Sequence, residues 1–445
     1  MSKPRANFVC QACGAAAPKW LGRCPACQAW DSLVEEPAAP AQSAPAASFQ
    51  LTPLAQARQA QEPRIVTGMG ELDRVLGGGL VNGMVVLVGG EPGIGKSTLM
   101  LQLAASLSSA GLPILYVSAE ESARQVALRA GRLGAHDQSV MLLAETGLEA
   151  MLAAWRAGGY RAVIVDSIQA ARTSELAGVP GSVGQVRFCA AELAALAKET
   201  GAALFLVGHV TKEGSLAGPR VLEHLVDTVL YFESEPSMRL RLLRAVKNRF
   251  GATDEVGVFE MTEQGLTQVD NPSAVFLAHR PAEAPGSAVC AAMSGTRPLL
   301  VEVQALVSPS GLAMPRRQAL GVDPGRLHML CAVLGIHAGV DLSAHDVFVN
   351  VAGGIKLAEP AGDLAVAAAV TSSYRARPLP AGVVCFGEVG LAGELRAVSR
   401  TPARLSEAAR QGFSQALTAP GKHAKVKGIR LQSATRLDAA LELLA

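Results

Sequence analysis

Residues 89–98, with the sequence GGEPGIGKST, have the residue types and spacing of a loop that binds phosphate groups. Gly90, Gly95, Lys96 and Ser97 follow the pattern G-x4-G-K-S. Glycines let the backbone close around an anion, the lysine can reach the β- and γ-phosphates, and the serine hydroxyl can hold Mg²⁺. The alternative is a glycine-rich turn that contains a lysine by chance. The residues predicted to bind ATP and Mg²⁺ here are Gly90, Glu91, Pro92, Gly93, Ile94, Gly95, Lys96, Ser97 and Thr98.

Two acidic positions follow apolar segments further along the chain. Asp166 ends the run RAVIVD, an arrangement in which the acid orders the water shell of Mg²⁺. Glu120 and Glu121 come shortly after the run PILYV, where a carboxylate can polarise a water molecule aimed at the γ-phosphate. We predict this role for Glu120 and keep Glu121 as the alternate, although an acid at a helix start is also common without a catalytic role.

Four cysteines near the start of the chain form two CxxC pairs, Cys10 with Cys13 and Cys24 with Cys27. Four thiolates at this spacing close a tetrahedral site with no open position, which is the structural form of Zn²⁺. Two redox-active or incidental pairs are the alternative. So small a segment cannot bury a core, and we expect the metal to supply its folding energy.

Two aromatic and two basic residues lie in the same segment: Lys19, Trp20, Arg23 and Trp30. Such residues could stack on nucleic-acid bases and bind phosphate, or they could pack the metal-binding knuckle itself. The sequence leaves both interpretations open.

The elements that must position these residues are apolar runs at residues 84–88, 113–117, 161–166 and 203–209. They are predicted to be buried strands, and the leucines at 99, 103 and 107 predict a helix directly after the phosphate loop. Strands that alternate with helices form a parallel sheet flanked by helices. His209, at the tip of the last run, is predicted to sense the γ-phosphate, unless it only caps the strand.

Basic residues in polar segments are the candidate contacts to DNA. Arg187 lies at the end of the connection 173–187, and Lys212 and Arg220 lie in the connection 211–220. The later candidates are Lys422, Lys425 and Lys427, in a basic run that also contains Arg430. Solvated loops and a solvated face would explain the same residues without any function.

Length and composition indicate a globular protein of about two or three domains, with 445 residues and 18% charged residues. The net charge of +2 requires that any nucleic-acid contact come from local patches. No apolar run approaches the roughly 18 residues of a membrane span, and the first residues lack the apolar core of a signal peptide. We expect a cytoplasmic protein, without a membrane partner, whose eight cysteines are free or bind metal.

The order of these motifs resembles that of the bacterial RadA (Sms) family of DNA-repair proteins. The cysteine pairs, the phosphate loop and the pentapeptide KNRFG at residues 247–251 each have a counterpart in the family. The central segment is similar to RecA and to hexameric helicases of the DnaB type. The resemblance implies a DNA-dependent ATPase that forms a ring of six copies around single-stranded DNA and drives branch migration. It also implies a recombinase of the RecA type as partner, contacted through the zinc knuckle.

The pentapeptide contributes two cations, Lys247 and Arg249, that lie two residues apart after an alternating run. In a strand they would face one way. By the resemblance, they act like arginine fingers on the γ-phosphate held by a neighbouring subunit. The residues alone would equally well form a solvated basic hairpin.

The last part of the chain is similar to the proteolytic domain of Lon. Runs at 299–307 and 345–351 predict strands, and a helix is predicted from about residue 363 to 374. Where the Lon pattern has its serine nucleophile, this chain has Asp363, and where it has the lysine base, the chain has Arg400-Thr-Pro402. We therefore expect an inactive scaffold, since Lys356 without the serine does not restore the dyad.

The predicted fold is α/β: a RecA-like P-loop ATPase core with an amino-terminal zinc ribbon and a carboxy-terminal α/β domain like that of Lon. The predicted boundaries are 1–34 for the zinc segment, 35–62 for an Ala/Pro-rich tether, 63–270 for the ATPase, 271–285 for a linker and 286–445 for the last domain. An ATP-dependent protease and a metabolite kinase with a zinc lid are the rival functions.

Overall fold

The computed structural model describes residues 7–10, 15–36, 63–135, 139–176, 178–208, 222–234, 240–253, 255–278, 280–281, 283–421 and 426–444. Contacts divide the chain into two compact units, Met1–Gln268 and Val269–Ala445. In the described ranges, no helix is long and apolar enough to cross a membrane.

The amino-terminal segment contains a three-stranded antiparallel sheet with the order β2-β1-β3. Its strands are β1 (Asn7–Cys10), β2 (Ala16–Ala17) and β3 (Leu33–Glu36). Among the residues described in this segment, four buried side chains, those of Cys10, Ala17, Cys24 and Leu33, form its core. A core of this size cannot offset the entropy of folding, as expected of a metal-dependent fold.

The nine-stranded sheet of the first unit has the order β12-β11-β10-β9-β4-β8-β7-β5-β6. The six strands from β9 to β6 run parallel, and β10 to β12 add antiparallel strands beyond β9. The strands are β4 (Val85–Gly90), β5 (Ile114–Ser118), β6 (Val140–Ala144), β7 (Ala162–Asp166), β8 (Ala203–Val207), β9 (Thr228–Ser234), β10 (Leu240–Asn248), β11 (Val256–Thr262) and β12 (Gly265–Gln268). The four predicted strands are confirmed; β6 and β9 were not predicted.

Helices cover both faces of this sheet, so alternate residues of a strand enter two different cores. Val86 and Val88 pack with the helix after the phosphate loop, whereas Val85 and Leu87 pack with the helices on the opposite face. The helices are α1 (Gly70–Leu76), α2 (Lys96–Ser109), α3 (Ala123–Arg132), α4 (Leu148–Ala157) and α5 (Val183–Thr200), with a 3-10 turn at Ile168–Ala170. The predicted leucines of α2, at 99, 103 and 107, are fully buried.

The second unit has a seven-stranded mixed sheet with the order β15-β16-β14-β13-β17-β20-β21, and a separate pair β18-β19. The strands are β13 (Ser287–Ser294), β14 (Arg297–Pro309), β15 (Arg317–Leu320), β16 (His345–Val351), β17 (Val383–Cys385), β18 (Glu388–Val389), β19 (Leu395–Arg396), β20 (Gln415–Thr418) and β21 (Arg430–Ser433). The helices are α6 (Pro272–Leu277), α7 (Pro324–His337), α8 (Asp363–Tyr374), α9 (Thr401–Arg410) and α10 (Leu437–Glu442), with 3-10 turns at Ala352–Gly354 and Pro360–Gly362.

Part of the predicted linker 271–285 is a folded element of the second unit. Helix α6 starts there with Asn271 as its cap, and Ser273 and Phe276 are buried. The Ser273 hydroxyl donates to Glu407 Oε1 at 2.6 Å and accepts from the backbone N–H of Leu300 at 3.0 Å. Proline at the first helical position, which suggested a linker, is equally favourable at a helix start.

Candidate functional site

The phosphate loop connects the end of β4 to the start of α2, as its spacing predicted. Gly90 and Gly95 have φ values of 153° and 116°, which side chains with a Cβ rarely adopt. A Cβ at position 90 would lie 2.8 Å from the carbonyl oxygen of Phe232, and one at 95 would lie 2.7 Å from Met261 Cε. By contrast, a Cβ on Gly93 would have nothing within 4 Å. The loop backbone therefore packs tightly against the protein at Gly90 and Gly95 and has free space beside Gly93. This arrangement suits a loop that binds an anion.

Lys96, the first residue of α2, is buried and turns its ammonium group into the loop. Its Nζ donates to the carbonyl oxygens of Gly90 at 2.8 Å and Glu91 at 2.9 Å. Burial lowers the pKa of Lys96, while the negative charges of Asp166 and Glu120 act in the opposite direction. The two predicted carboxylates, from two other segments, thus lie within electrostatic range of Lys96.

Asp166 stands at the carboxyl end of β7, in register with Ser118 of β5 and Val207 of β8. Its Oδ2 accepts a hydrogen bond of 2.7 Å from the hydroxyl of Tyr116 on β5. Tyr116 is 2% exposed, and burial first, then the charge of Asp166, raise its pKa well above the ordinary value. The hydroxyl therefore remains a donor that orients the carboxylate.

The two candidate bases have different surroundings. Glu120 is exposed, and its Oε1 accepts a hydrogen bond from the hydroxyl of Ser167, a fully buried residue next to Asp166. Glu121 instead forms an ion pair with Arg129 of α3. Glu120 therefore contacts a neighbour of Asp166, whereas Glu121 contacts a cation of α3.

The cations of the pentapeptide contact one segment of their own chain. Lys247 Nζ donates to the carbonyl oxygens of Glu223 at 2.5 Å and Val226 at 2.8 Å. Arg249 Nη1 lies 3.2 Å from Asp227 Oδ1. A register shift between residues 245 and 247 interrupts β10, which ends at residue 248, so the predicted strand alternation does not extend to Arg249. Both cations nevertheless reach residues 223–227.

Three of the four predicted zinc ligands come together. The Sγ atoms of Cys10, Cys24 and Cys27 lie within 4.8 Å of one another, with 3.6 Å between Cys10 and Cys27. Three converging thiols fit the soft thiolate ligands that structural Zn²⁺ requires. Cys13 lies outside the described residues.

Several other predicted site residues also fall outside the described part of the chain: His209, Lys212, Arg220, Lys422 and Lys425. Of the remaining DNA candidates, Arg187 is exposed in the first turns of α5 rather than in a loop, because the helix begins at residue 183. Lys427 is exposed beside β21. In the second unit, Lys356 is exposed as well.

Three residues around the site were not found from the sequence: Tyr116, Ser167 and Gln169. Asp227 was not found either; it directly precedes β9, at the opposite edge of the sheet from the phosphate loop. Gln169 follows Asp166 in the 3-10 turn, and its Oε1 is buried without a hydrogen-bond partner in the described residues. Asp227 is 4% exposed and accepts from the backbone N–H of Val85 as well as binding Arg249. Ser167 and Gln169 are polar residues directly after a strand-ending acid, a signal that could have identified them.

The donor set also fits a divalent cation with a nucleotide. Ser97 in the first turn of α2 and Asp166 on β7 offer a hydroxyl and a carboxylate, which are hard oxygen donors of the kind that Mg²⁺ prefers. A glycine loop before a helix, an acid at the end of a parallel strand and a cluster of thiols together define a P-loop ATPase that carries a zinc ribbon.

Family models and full-length relatives agree with this class. Residues 55–215 match the AAA domain family, and residues 8–35 match the rubredoxin metal binding domain family. The chain is 52% identical over 452 residues to the DNA repair protein RadA of Pseudomonas aeruginosa, covering 100% of both chains. It is 51% identical to the RadA of Bacillus subtilis, covering 93% of this chain and 92% of that one. The solved ATPase domain of G40P aligns with 48% of this chain and 95% of that chain at 14% identity and a TM-score of 0.42.

The chain belongs to the RadA family of DNA repair ATPases. The AAA domain match and the converging cysteines indicate nucleotide and zinc binding by this chain.

Proposed function

We propose that this chain is an ATP-driven motor on single-stranded and branched DNA, whose hydrolysis of ATP depends on DNA and drives branch migration of recombination intermediates. The observation that carries the proposal is the placement of Lys96 in the phosphate loop, Asp166 at the carboxyl end of β7, and Glu120 hydrogen-bonded to Ser167 next to Asp166. The full-length similarity to DNA repair proteins supports DNA as the partner.

In the proposed hydrolysis, Lys96 would bind the β- and γ-phosphates, and Ser97 and Asp166 would hold Mg²⁺. When bound, Mg²⁺ supplies positive charge that stabilises the phosphate oxygens. Glu120 accepts a proton from the attacking water, and the hydroxyl of Ser167 holds its carboxylate in place. His209 is the proposed sensor of the γ-phosphate.

The proposed active form is a homo-oligomeric ring, with six copies as the number that resemblance to hexameric helicases suggests. Lys247 and Arg249 would act on the γ-phosphate in the neighbouring copy. In the single chain, Lys247 is bound by backbone carbonyls, whereas Arg249 is bound by Asp227. On assembly, each cation would therefore exchange these partners for the γ-phosphate or share itself between the two.

A mixing experiment tests this trans arrangement. Lys96→Ala and Arg249→Ala chains are each expected to be inactive, but mixed rings contain interfaces with an intact loop from one chain and an intact arginine from the other. Partial recovery of ATPase activity on mixing is expected. No recovery in mixed rings verified by subunit exchange would contradict action in trans.

The second unit is proposed to act as a scaffold of the ring rather than as a protease. Asp363, at the position of the Lon serine, is buried and accepts from Arg326 Nε at 2.8 Å and from the backbone N–H of Val389 at 3.0 Å. Arg400, near the position of the lysine, caps α9 in a left-handed conformation. A carboxylate already engaged by three hydrogen-bond donors is not a nucleophile for amides. ATP-dependent degradation of casein would revive the rival protease function.

A RecA-type recombinase is the proposed protein partner. The support is the resemblance of the whole chain to its family. Cys27→Ala is expected to abolish recombinase-coupled activity and to leave DNA-stimulated ATPase activity intact, and unchanged coupling would argue against the partner.

The central test is the rate of ATP hydrolysis with and without single-stranded DNA. We expect DNA to raise the rate, and Lys96→Ala to abolish it by removing the cation in the loop. Equal hydrolysis with and without DNA would refute the motor. Phosphoryl transfer to an acceptor other than water would favour the kinase alternative.

A further inference from the structure

Two tryptophans on the zinc ribbon lie outside its core. Trp30 is 73% exposed and Trp20 is 54% exposed, whereas the ribbon packs around Cys10, Cys24 and Leu33. The sequence left two roles open for these tryptophans, and their exposure argues against one of them, packing of the knuckle. Two exposed indoles on one small fold need another explanation, because exposing them costs favourable burial.

The two rings lie beside the same glycine. A Cβ at Gly22 would lie 3.6 Å from Trp20 Cη2 and 4.0 Å from Trp30 Cζ3, so the missing side chain leaves the space between them open. Arg23 places its guanidinium carbon 5.5 Å from the centroid of the Trp30 ring. Its Nε is held by the carbonyl oxygen of Gln28 at 2.9 Å. We call Trp20, Arg23 and Trp30 the indole platform.

We propose that the indole platform binds single-stranded nucleic acid by stacking on unpaired bases, with Arg23 and the exposed Lys19 binding the phosphates. Every base has a π-face, so such stacking does not depend on sequence, and cations beside the rings neutralise the backbone. The proposal rests on the proposed DNA-dependent function and names a second contact to the same partner.

The exposed area and the cations beside the rings favour nucleic acid over a protein. The ribbon through the end of β3, residues 1–36, contains four basic side chains, Lys3, Arg5, Lys19 and Arg23, and three acidic side chains, Asp31, Glu35 and Glu36. Its overall charge is therefore nearly balanced, and Arg23 is the cation that lies over an indole ring. The two indoles together expose roughly 300 Å², taking about 240 Å² for a free Trp side chain. A stable protein interface needs about 800 Å² on each partner, whereas this area suffices for one or two bases.

Tryptophan fluorescence of the full zinc-loaded chain measures binding at the indole platform directly. The chain has three tryptophans, and the third, Trp155, is 1% exposed and serves as an internal reference. An oligothymidylate is titrated into the chain in the absence of ATP. A blunt-ended DNA duplex, which has no unpaired bases, is the matched control probe. We expect the oligothymidylate to quench the exposed tryptophans and the duplex to quench much less.

Three variants separate stacking from folding. Trp20→Ala/Trp30→Ala should lose the quenching and weaken oligothymidylate binding by roughly 5- to 150-fold for each base that stacks. Val34→Ala, which alters another exposed apolar residue of the ribbon, should bind normally. Arg23→Gln should reduce the slope of the logarithm of the binding constant against the logarithm of the salt concentration by about one, as expected for the loss of one phosphate contact. Zinc content, measured by release to a chromogenic chelator, must match the unaltered chain.

Two outcomes would overturn the inference. One is no quenching at an oligothymidylate concentration that saturates ATPase stimulation. The other is quenching by a RecA-type recombinase and not by the oligothymidylate, which would make the platform a protein docking surface. Quenching without any ATPase stimulation would instead refute the proposed motor and leave the platform standing, so the two failures are distinguishable.

Discussion

Substituting Tyr116 by phenylalanine tests whether the tyrosine hydroxyl orients Asp166. The change removes the donor that lies 2.7 Å from Asp166 Oδ2 and keeps the ring in its buried place. The shape and volume of the side chain hardly change, so no cavity forms and the fold should persist. What is lost is the hydrogen bond that fixes one carboxylate oxygen.

The expected size of the effect follows from the burial of the two groups. A hydrogen bond to a charged group contributes about 1.5–3 kcal/mol, and the lower end applies because Asp166 is only half-buried and water can replace the donor. About 1.5 kcal/mol corresponds to roughly a tenfold change. We expect kcat for ATP to fall about tenfold, because a carboxylate that can rotate holds its partners less well, and KM for ATP to stay nearly constant.

The assay is steady-state ATP hydrolysis with saturating DNA and a titration of Mg²⁺, with thermal unfolding as the check on folding. Tyr160→Phe is the matched control, since this tyrosine is partly buried on the other face of the sheet. An unchanged kcat in a folded Tyr116→Phe chain would refute the reasoning. So would an equal loss of activity in Tyr160→Phe.

Three further predictions concern other parts of the chain. Hydrogen bonds, of which that from Thr173 has the largest effect, lower the pKa of Glu149 from 4.5 to about 2. The ionised carboxylate therefore stabilises the fold above about pH 4.5, and this stabilisation is lost as the pH falls toward 2. Glu149→Gln should remove this loss of stability at acidic pH in thermal melts recorded across that range. Cys24→Ser should abolish zinc binding in a metal assay yet leave binding of a fluorescent ATP analogue intact, because the zinc site and the phosphate loop belong to separate cores. Asp363→Ala should lower the free energy of unfolding by about 2–3 kcal/mol in a denaturant titration, because it strands the charge of the partly buried Arg326.

Much of the fold could be predicted because its signals are local. Apolar runs bounded by glycine or polar residues marked β4, β5, β7 and β8, and the run 345–351 coincides with β16. Strand β6 was missed because its residues are half-buried or exposed at the sheet edge, which gives a weak pattern. Helix α6 was missed because proline and polar residues are as frequent at helix starts as in linkers.

The sequence by itself determined the chemistry that this protein can perform. The spacing of residues 90–97 and the cysteine pairs specify a phosphate loop and a thiolate site, since each is a short segment whose ligands are close along the chain. Only the tertiary structure decided how residues distant along the chain meet. It joined Tyr116 to Asp166 and Ser167 to Glu120, paired Glu121 with Arg129, and left two tryptophans of the ribbon exposed. Such contacts depend on strand order and burial, which local patterns of residues do not encode.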